Sequence, residues 1–563
     1  MLTLFFALAL QASTSFPTPH AGPVQVDAHH PQRSEDLAPR RGGSVVVAVP
    51  ALPPSLNALL ESSGVARQIL YETHESLLRR DWETWKLEPA LASAWELRRD
   101  GEALELVFTL RSGVRWHDGH EFDARDVLFT FECLRNPHVR CDRKRALFEK
   151  IESARVLEDG RVAFRYAKPY FLAEAAFDES FTLLPSHVYD LADADNPKRK
   201  EGASAEEQGR FVNEHPANRA WLGLGPYRVT DFTNERVEAQ RFDGYFDAQR
   251  GGWLERLGWR AFRDASAALA AFEDGEVDVF DRLSIEDYFG ERTATERFAA
   301  QGYKALLATP SLSVTAWNLA RPELSDARVR LALAHASNWE AIRTGLYRGL
   351  AERVTGEQPA FAPHYDRALA PIAFDRTRAE RLLTQAGWID RDGDGRVDKD
   401  GAALEIDYLY ASGADVTVKL AQALQSDWSA VGVTLRLDGR DPAAFSEALR
   451  KREFEAAALT LASSYLSDPE PLWHSKWASG SSANRWGLRD EQTDALIGRL
   501  QLELDPQRSS ALFHALQARV HQLQPCMFGL WAARRLALRQ RVRGVQLFAL
   551  DPGYSLRRWY VVE

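Results

Sequence analysis

Apolar side chains alternate with other residues through Leu104, Leu106, Phe108 and Leu110. This period-2 spacing predicts a strand with one buried face. Asp100-Gly101 is a turn feeding the strand and Gly113 breaks it. The period then changes: Val127, Leu128, Phe131 and Leu134 fall on one face of a helix. Asp123 stands at its N-cap, with Asp126 in the first turn. Between strand and helix, Trp116-His117-Asp118-Gly119 turns the chain.

The same alternation runs on. Ser44 to Val49 is rich in β-branched residues and reads as a strand, stopped by Pro50, Pro53 and Pro54. Residues 264–280 read as an Ala-rich helix ended by Gly275 and followed by a strand. Ser325-Asp326 caps a helix carrying Val329, Leu333 and Ala336, and Asp375 caps another that Gly387 ends. Leu420 to Val431 reads as a helix and Gly432 to Leu437 as a strand. Residues 192–220 are polar and read as a surface excursion. In Gly223-Leu224-Gly225-Pro226-Tyr227, Pro226 lacks the amide donor that a phosphate loop would use, so the glycines predict a tight turn into a strand. Helices and strands joined by turn residues predict an α/β or α+β fold.

A chain of 563 residues should form three or four domains, at about 150 residues each. The formal charge of -10 argues against nucleic acid as a partner, because that binding rests on Lys and Arg neutralising phosphates. The apolar run Leu2 to Ala12 is too short for a bilayer, which needs about 20 residues. It reads as the apolar part of a secretory signal, although no Lys or Arg precedes it. We assign 1–22 to this segment and 23–42 to a disordered leader. Export permits disulfides. Cys133 and Cys141 flank Asn136-Pro137 and could form a bridge or be two small buried side chains; Cys526 reads as a core thiol.

Seven segments, in order, resemble the family 5 extracellular solute-binding proteins, the oligopeptide- and dipeptide-binding receptors of ABC importers. They are Leu87–Trp95 (LEPALASAW), Ser112–Asp126, Gly223–Tyr227 (GLGPY), Phe272–Asp278 (FEDGEVD), Asn318–Asn338, Phe374–Trp388 and Leu424–Leu435. The resemblance implies a two-lobe periplasmic-binding-protein type II fold with an inserted accessory domain and a hinge. Mapped here, the core of lobe one is 43–80, 221–312 and 531–563, the accessory domain is 81–220, and lobe two is 313–530. The implied function is capture of a peptide or related extended polar solute by hinge closure, for delivery to an inner-membrane permease. Closure requires that ligand bind the closed form better than the open one. A monomeric, periplasmic, non-enzymatic protein with no cofactor follows from the same resemblance. The alternatives are an exported hydrolase of two-lobe shape and a sensory or chaperone-like solute binder.

Peptide-binding members carry an Asp that pairs with the ligand's α-amine, in a W-x-x-D-Y-x-D-P-like segment. Here that stretch is Ala462 to Pro469, with Tyr465 where the Asp would stand and Ala462 where the Trp would. A phenol lacks the full charge that balances a buried ammonium. Asp468 could replace it, or could cap the turn before Pro469. Ser463, Ser464, Trp473 and Asn484 are further ligand candidates from this region; Asn318, Trp317, Tyr71 and Tyr227 come from matched blocks elsewhere. Each of these could instead be core.

Asp390, Asp392, Asp394 and Asp398 follow the first nine positions of an EF-hand loop, but position twelve is Gly401 and not Glu, so a turn competes with weak calcium binding. His117 and His120 have zinc-ligand spacing with no third ligand nearby. Nucleophile-elbow, Cys–His and H-E-x-x-H signatures are absent from the sequence.

Overall fold

The structure is a computed structural model and describes residues 38–562, apart from 179, 309–310, 359, 414, 463–465, 481–482 and 550–551. The expected signal segment 1–22 and most of the 23–42 leader lie outside the described residues. The described chain forms two compact units. The middle unit is Ala308–Ala533; the terminal unit combines the chain up to Leu307 with the stretch from Arg534 onward, so the chain passes twice between them.

The terminal unit holds a seven-stranded mixed sheet. Across it run Gly302–Leu307, Arg534–Arg539, Val279–Phe280, Ser44–Val49, Arg256–Ala261, Arg236–Arg241 and Tyr227–Phe232. Ser44–Val49 is parallel to both its neighbours, and every other pairing is antiparallel. The helix Ala265–Glu273 covers one face. Asp264 caps it by accepting from the Ala267 amide, and its Leu269 and Phe272 form a buried cluster with Phe280, Leu283 and Phe298.

A second, four-stranded antiparallel sheet in this unit has the order Ala92–Asp100, Ala103–Leu110, Val162–Tyr166, Ile151–Val156. The helix Ala124–Arg135 has the expected Asp123 cap, completed into a reciprocal box by Asp126. Phe108, Phe131, Phe164, Phe177 and Phe181 pack ring to ring in this region. The polar stretch 192–220 is not a bare excursion. Ser204 and Glu207 form a second capping box that starts the helix Ala205–Glu214.

The Gly-x-Gly turn is explained by close approach of backbone. A Cβ on Gly223 would lie 2.0 Å from the Thr73 carbonyl oxygen, and one on Gly225 2.4 Å from the Thr73 carbonyl carbon. Thr73 ends the helix Gly64–Thr73, so the two glycines let the turn seat against it. His117 locks the arrangement. Its Nδ1 accepts from the Gly223 amide (3.2 Å) and its Nε2 faces the Gly225 carbonyl (2.8 Å). Gly223→Ala is expected to destabilise the protein by about 1–3 kcal/mol, read from urea unfolding; a change within error would show that the turn has slack.

In the middle unit a six-stranded mixed sheet has the order Ala351–Arg353, Cys526–Ala532, Ser311–Trp317, Ala456–Ala462, Glu405–Ala411, Thr434–Arg440. Helices Ala327–Ala336, Arg376–Gln385 and Asp415–Ser429 are capped or placed by the expected signals, though the last begins before Leu420 and its following strand lies at Thr434–Arg440. Trp317 and Trp428 pack at 5.7 Å in its core, and the Trp428 indole donates to Ser337 Oγ at 2.9 Å. No helix among the described residues is long and apolar enough to cross a membrane.

Candidate functional site

Tyr465, Ser463 and Ser464 lie outside the described residues. The chain re-emerges at Leu466. Asp468 Oδ1 accepts from the Glu470 amide at 3.0 Å, which holds the turn into the short helix Glu470–Trp473. Asp468 Oδ2 accepts from Gln501 Nε2 at 2.8 Å, and the same nitrogen donates to Glu470 Oε2 at 2.7 Å. Lys476 pairs with the other Glu470 oxygen at 2.6 Å.

Several expected ligand contacts serve the core of the middle unit instead. Trp473 is fully buried and stacks on Trp486 at 4.8 Å. Asn484 is fully buried; it donates to the His474 and Leu488 carbonyls and accepts from the Gly487 and Leu488 amides. Asn318 donates to the Arg452 and Phe454 carbonyls. Arg452 in turn donates to the Asn484 carbonyl, so one loop network ties these positions together. Trp317 lies in the core against Trp428.

Beside the Asp468 turn sits a group that the sequence did not flag. Glu357 is 4% exposed. Burial holds its carboxyl above the ordinary range. Gln358, equally buried, donates from Nε2 to Ser467 Oγ at 3.3 Å, while its Oε1 has no partner. The preceding loop is fixed: Thr355 Oγ1 meets Tyr365 Oη at 2.8 Å and accepts from Gln517 Nε2 at 2.7 Å. Gln517 belongs to the helix Pro506–Leu523 and crowds Gly356, where a Cβ would lie 2.9 Å from Gln517 Cγ.

In the terminal unit, Tyr227 is fully buried and donates to the Leu254 carbonyl at 3.0 Å; burial raises its phenol. Tyr71 packs tilted against Trp82 at 4.3 Å, and the Arg557 guanidinium lies 5.0 Å from its ring centre. Arg557 is the hub of a buried charge network. It donates to Glu75 Oε1 at 2.6 Å, lies 3.4 Å from Glu72 Oε2, and donates to the Tyr71 and His74 carbonyls. Tyr245 also donates to Glu75, at 2.6 Å. Burial lifts Glu72 to about 7 despite Arg557, which pulls it down. Arg557 contacts both buried carboxylates, the shorter contact going to Glu75, which Arg79 also attracts.

The carboxylates of Asp390, Asp392 and Asp394 converge, with oxygens within 4.8 Å of one another, on an exposed loop. They accept from the amides of Gly393, Gly395, Asp394 and Arg396. Asp398 does not join them; it pairs with Arg391 at 2.7 Å. His117 has both ring nitrogens engaged by the glycine turn, and burial lowers it to about 4. His120 stacks on His187 at 3.9 Å. Cys133, Cys141 and Cys526 are free and buried. No bridge joins the first two; Cys141 Sγ lies 3.8 Å from the Cys133 carbonyl oxygen. A Ser–His pair occurs at Ser510 and His364, 2.7 Å apart. No Asp or Glu among the described residues is hydrogen-bonded to that imidazole to orient it as a base.

Two mixed α/β units on a chain that passes twice between them have the architecture of type II periplasmic binding proteins. The chain belongs to the bacterial extracellular solute-binding proteins, family 5, whose middle region matches residues 86–483. It is similar to the oligopeptide-binding protein AppA of Bacillus subtilis, 22% identical over 93% of each chain. It is also similar to the dipeptide-binding protein of Escherichia coli, 25% identical over 63% of each. Among solved structures, AppA in complex with a nonapeptide superposes with a TM-score of 0.75 at 22% identity, covering 93% of this chain and all of that one. NikA from Brucella suis in complex with Fe(III)-EDTA gives 0.77 at 22% identity, covering 92% and 100%.

Proposed function

We propose that this chain is the exported, periplasmic substrate-binding protein of an ABC importer. It captures peptides, or a related extended polar solute, by hinge closure and delivers them to an inner-membrane permease as a monomer. The observation that carries the reading is the family 5 match over 86–483, joined to relatives whose names give them as oligopeptide- and dipeptide-binding. The two chain passages between the units supply connections that could flex as a hinge. The separate four-stranded sheet within 81–220 supports reading that stretch as an inserted accessory domain.

The test is thermal unfolding against dipeptides, tripeptides and longer peptides, with the recovered ligand checked by mass spectrometry. A true ligand at 100 times its Kd adds about 2.7 kcal/mol to stability, so its melting transition should rise and the peptide should come back intact. Cleaved peptide would move the protein to the hydrolase reading. A library without a single stabilising member would remove peptides as its cargo.

A further inference from the structure

A small cavity in the middle unit joins elements that are far apart in the chain. Arg353 ends the strand Ala351–Arg353, and Trp339 opens the helix Trp339–Gly345. His521 lies in the last turn of the helix Pro506–Leu523, and Phe528 in the strand Cys526–Ala532. All four line the cavity. Two N–H groups of this lining have no acceptor among the described residues, Arg353 Nε and Trp339 Nε1. Trp339 is 2% exposed, and Arg353 is half-buried with its guanidinium 5.6 Å from the centre of the Trp339 ring.

Several other arginines with an unpartnered Nε have a charge partner. Arg79 pairs with Asp247, Arg241 with Asp243, Arg534 with Asp281 and Arg557 with Glu75. Arg353 forms no ion pair among the described residues; its terminal nitrogen donates to the Ile372 carbonyl at 3.3 Å. Glu340 attracts it from a distance, and gives both its own oxygens to Arg343 at 2.9 and 2.7 Å. Burial, and then the Arg353 charge, also lower the His521 imidazole, so the cavity carries a positive field.

Unpaired buried donors are costly, and a largely buried cation without a contacting counter-charge adds to the cost. Two free N–H groups and a positive charge on one cavity are complemented by an anion. Size narrows the choice. The cavity has room for about one water-sized group, which is too little for phosphate, sulfate or a carboxylate. A water molecule fits by size but brings hydrogens of its own, and most of the remaining lining is apolar: Ala334, Val354, Ile372, Met527 and Phe528. A halide ion only accepts.

We propose that Arg353 and Trp339 bind a chloride ion in this cavity, with Arg353 as charge partner and donor and the Trp339 indole as the second donor. The ion is not cargo. It is a counter-ion that ties the strand end at Arg353 to the helix start at Trp339, so the stability of the middle unit is linked to chloride.

The experiment is thermal unfolding of the full chain in sodium chloride and in sodium gluconate at equal ionic strength. The wild type should melt higher in chloride, with a transition that rises as the logarithm of chloride concentration, as a bound ion requires. Bromide should substitute for chloride. Trp339→Phe keeps the ring and removes the N–H. It should need about 10-fold more chloride for the same rise, and in gluconate it should melt at or above the wild type, because one unpaired donor is gone. Arg353→Met should abolish the chloride response; if it does not fold, Trp339→Phe carries the test. A crystal soaked in bromide should show an anomalous peak between Arg353 Nε and Trp339 Nε1. Equal melting of the wild type in chloride and gluconate would overturn the site, as would a chloride response that both variants keep, or a cavity that holds only water in the bromide crystal. None of these readouts involves peptide, so their failure leaves the proposed function standing.

Discussion

Arg557→Met is expected to lower the unfolding free energy by about 3–5 kcal/mol at pH 8, measured by urea denaturation, with a smaller deficit at pH 5. The guanidinium faces two buried carboxylates, Glu72 and Glu75, and Arg79 adds a second positive charge near Glu75. Burial opposes its own charge, and Glu75 foremost, then Tyr245 and Glu72, outweigh that and hold it above the ordinary arginine range. The pH dependence has a definite sign. Glu72 rises from 4.5 when unfolded to about 7 when folded. Its neutral form therefore favours the fold below about 4.5, and that contribution is lost as pH rises through 7. Removing Arg557 takes away the charge that pulls Glu72 down, which pushes its folded value higher still. The deficit must then grow as pH rises. A part that does not vary with pH remains, because the donors to the Tyr71 and His74 carbonyls are lost at every pH. A deficit that is flat from pH 5 to 8 would show that the carboxylates do not depend on Arg557.

Trp317→Ala is expected to cost about 3–5 kcal/mol while leaving ligand affinity per folded molecule unchanged. The ring is fully buried and packs on Trp428, itself fastened to Ser337. Urea unfolding reads the first quantity and calorimetry with a bound peptide reads the second. A loss of affinity without loss of stability would return Trp317 to the ligand site.

The fold was largely legible because its signals are local. Strand periodicity at Leu104–Leu110 and caps at Asp123, Asp326 and Asp375 each depend on a few neighbouring residues, and the structure has each of them. The Ala205–Glu214 helix was hidden for a physical reason. Its buried positions include only Gly209 and Val212, so it has little apolar stripe, and only the Ser204–Glu207 box marks it. Aromatic residues at element ends were harder. Trp317, Trp473 and Tyr227 carry the same letters whether a ring lines a ligand surface or fills a core, and in this structure all three are buried. Glu357 had no local signal at all. Nothing in Val354-Thr355-Gly356-Glu357-Gln358 separates a buried acid from a surface one; its setting is made by Gln517, Tyr365, Ser467 and Trp473, all brought in from elsewhere by the fold.

The seven-stranded sheet carries one more consequence. Among the described residues its outermost strand, Gly302–Leu307, pairs only with Arg534–Arg539, which also closes against Val279–Phe280. A nascent chain emerging from the ribosome therefore has all of the middle unit in hand before that gap can be filled. The strands of the middle unit are all synthesised by then, while the part begun first keeps an unfinished edge until Arg534–Arg539 arrives. The order of birth and the order of completion are inverted.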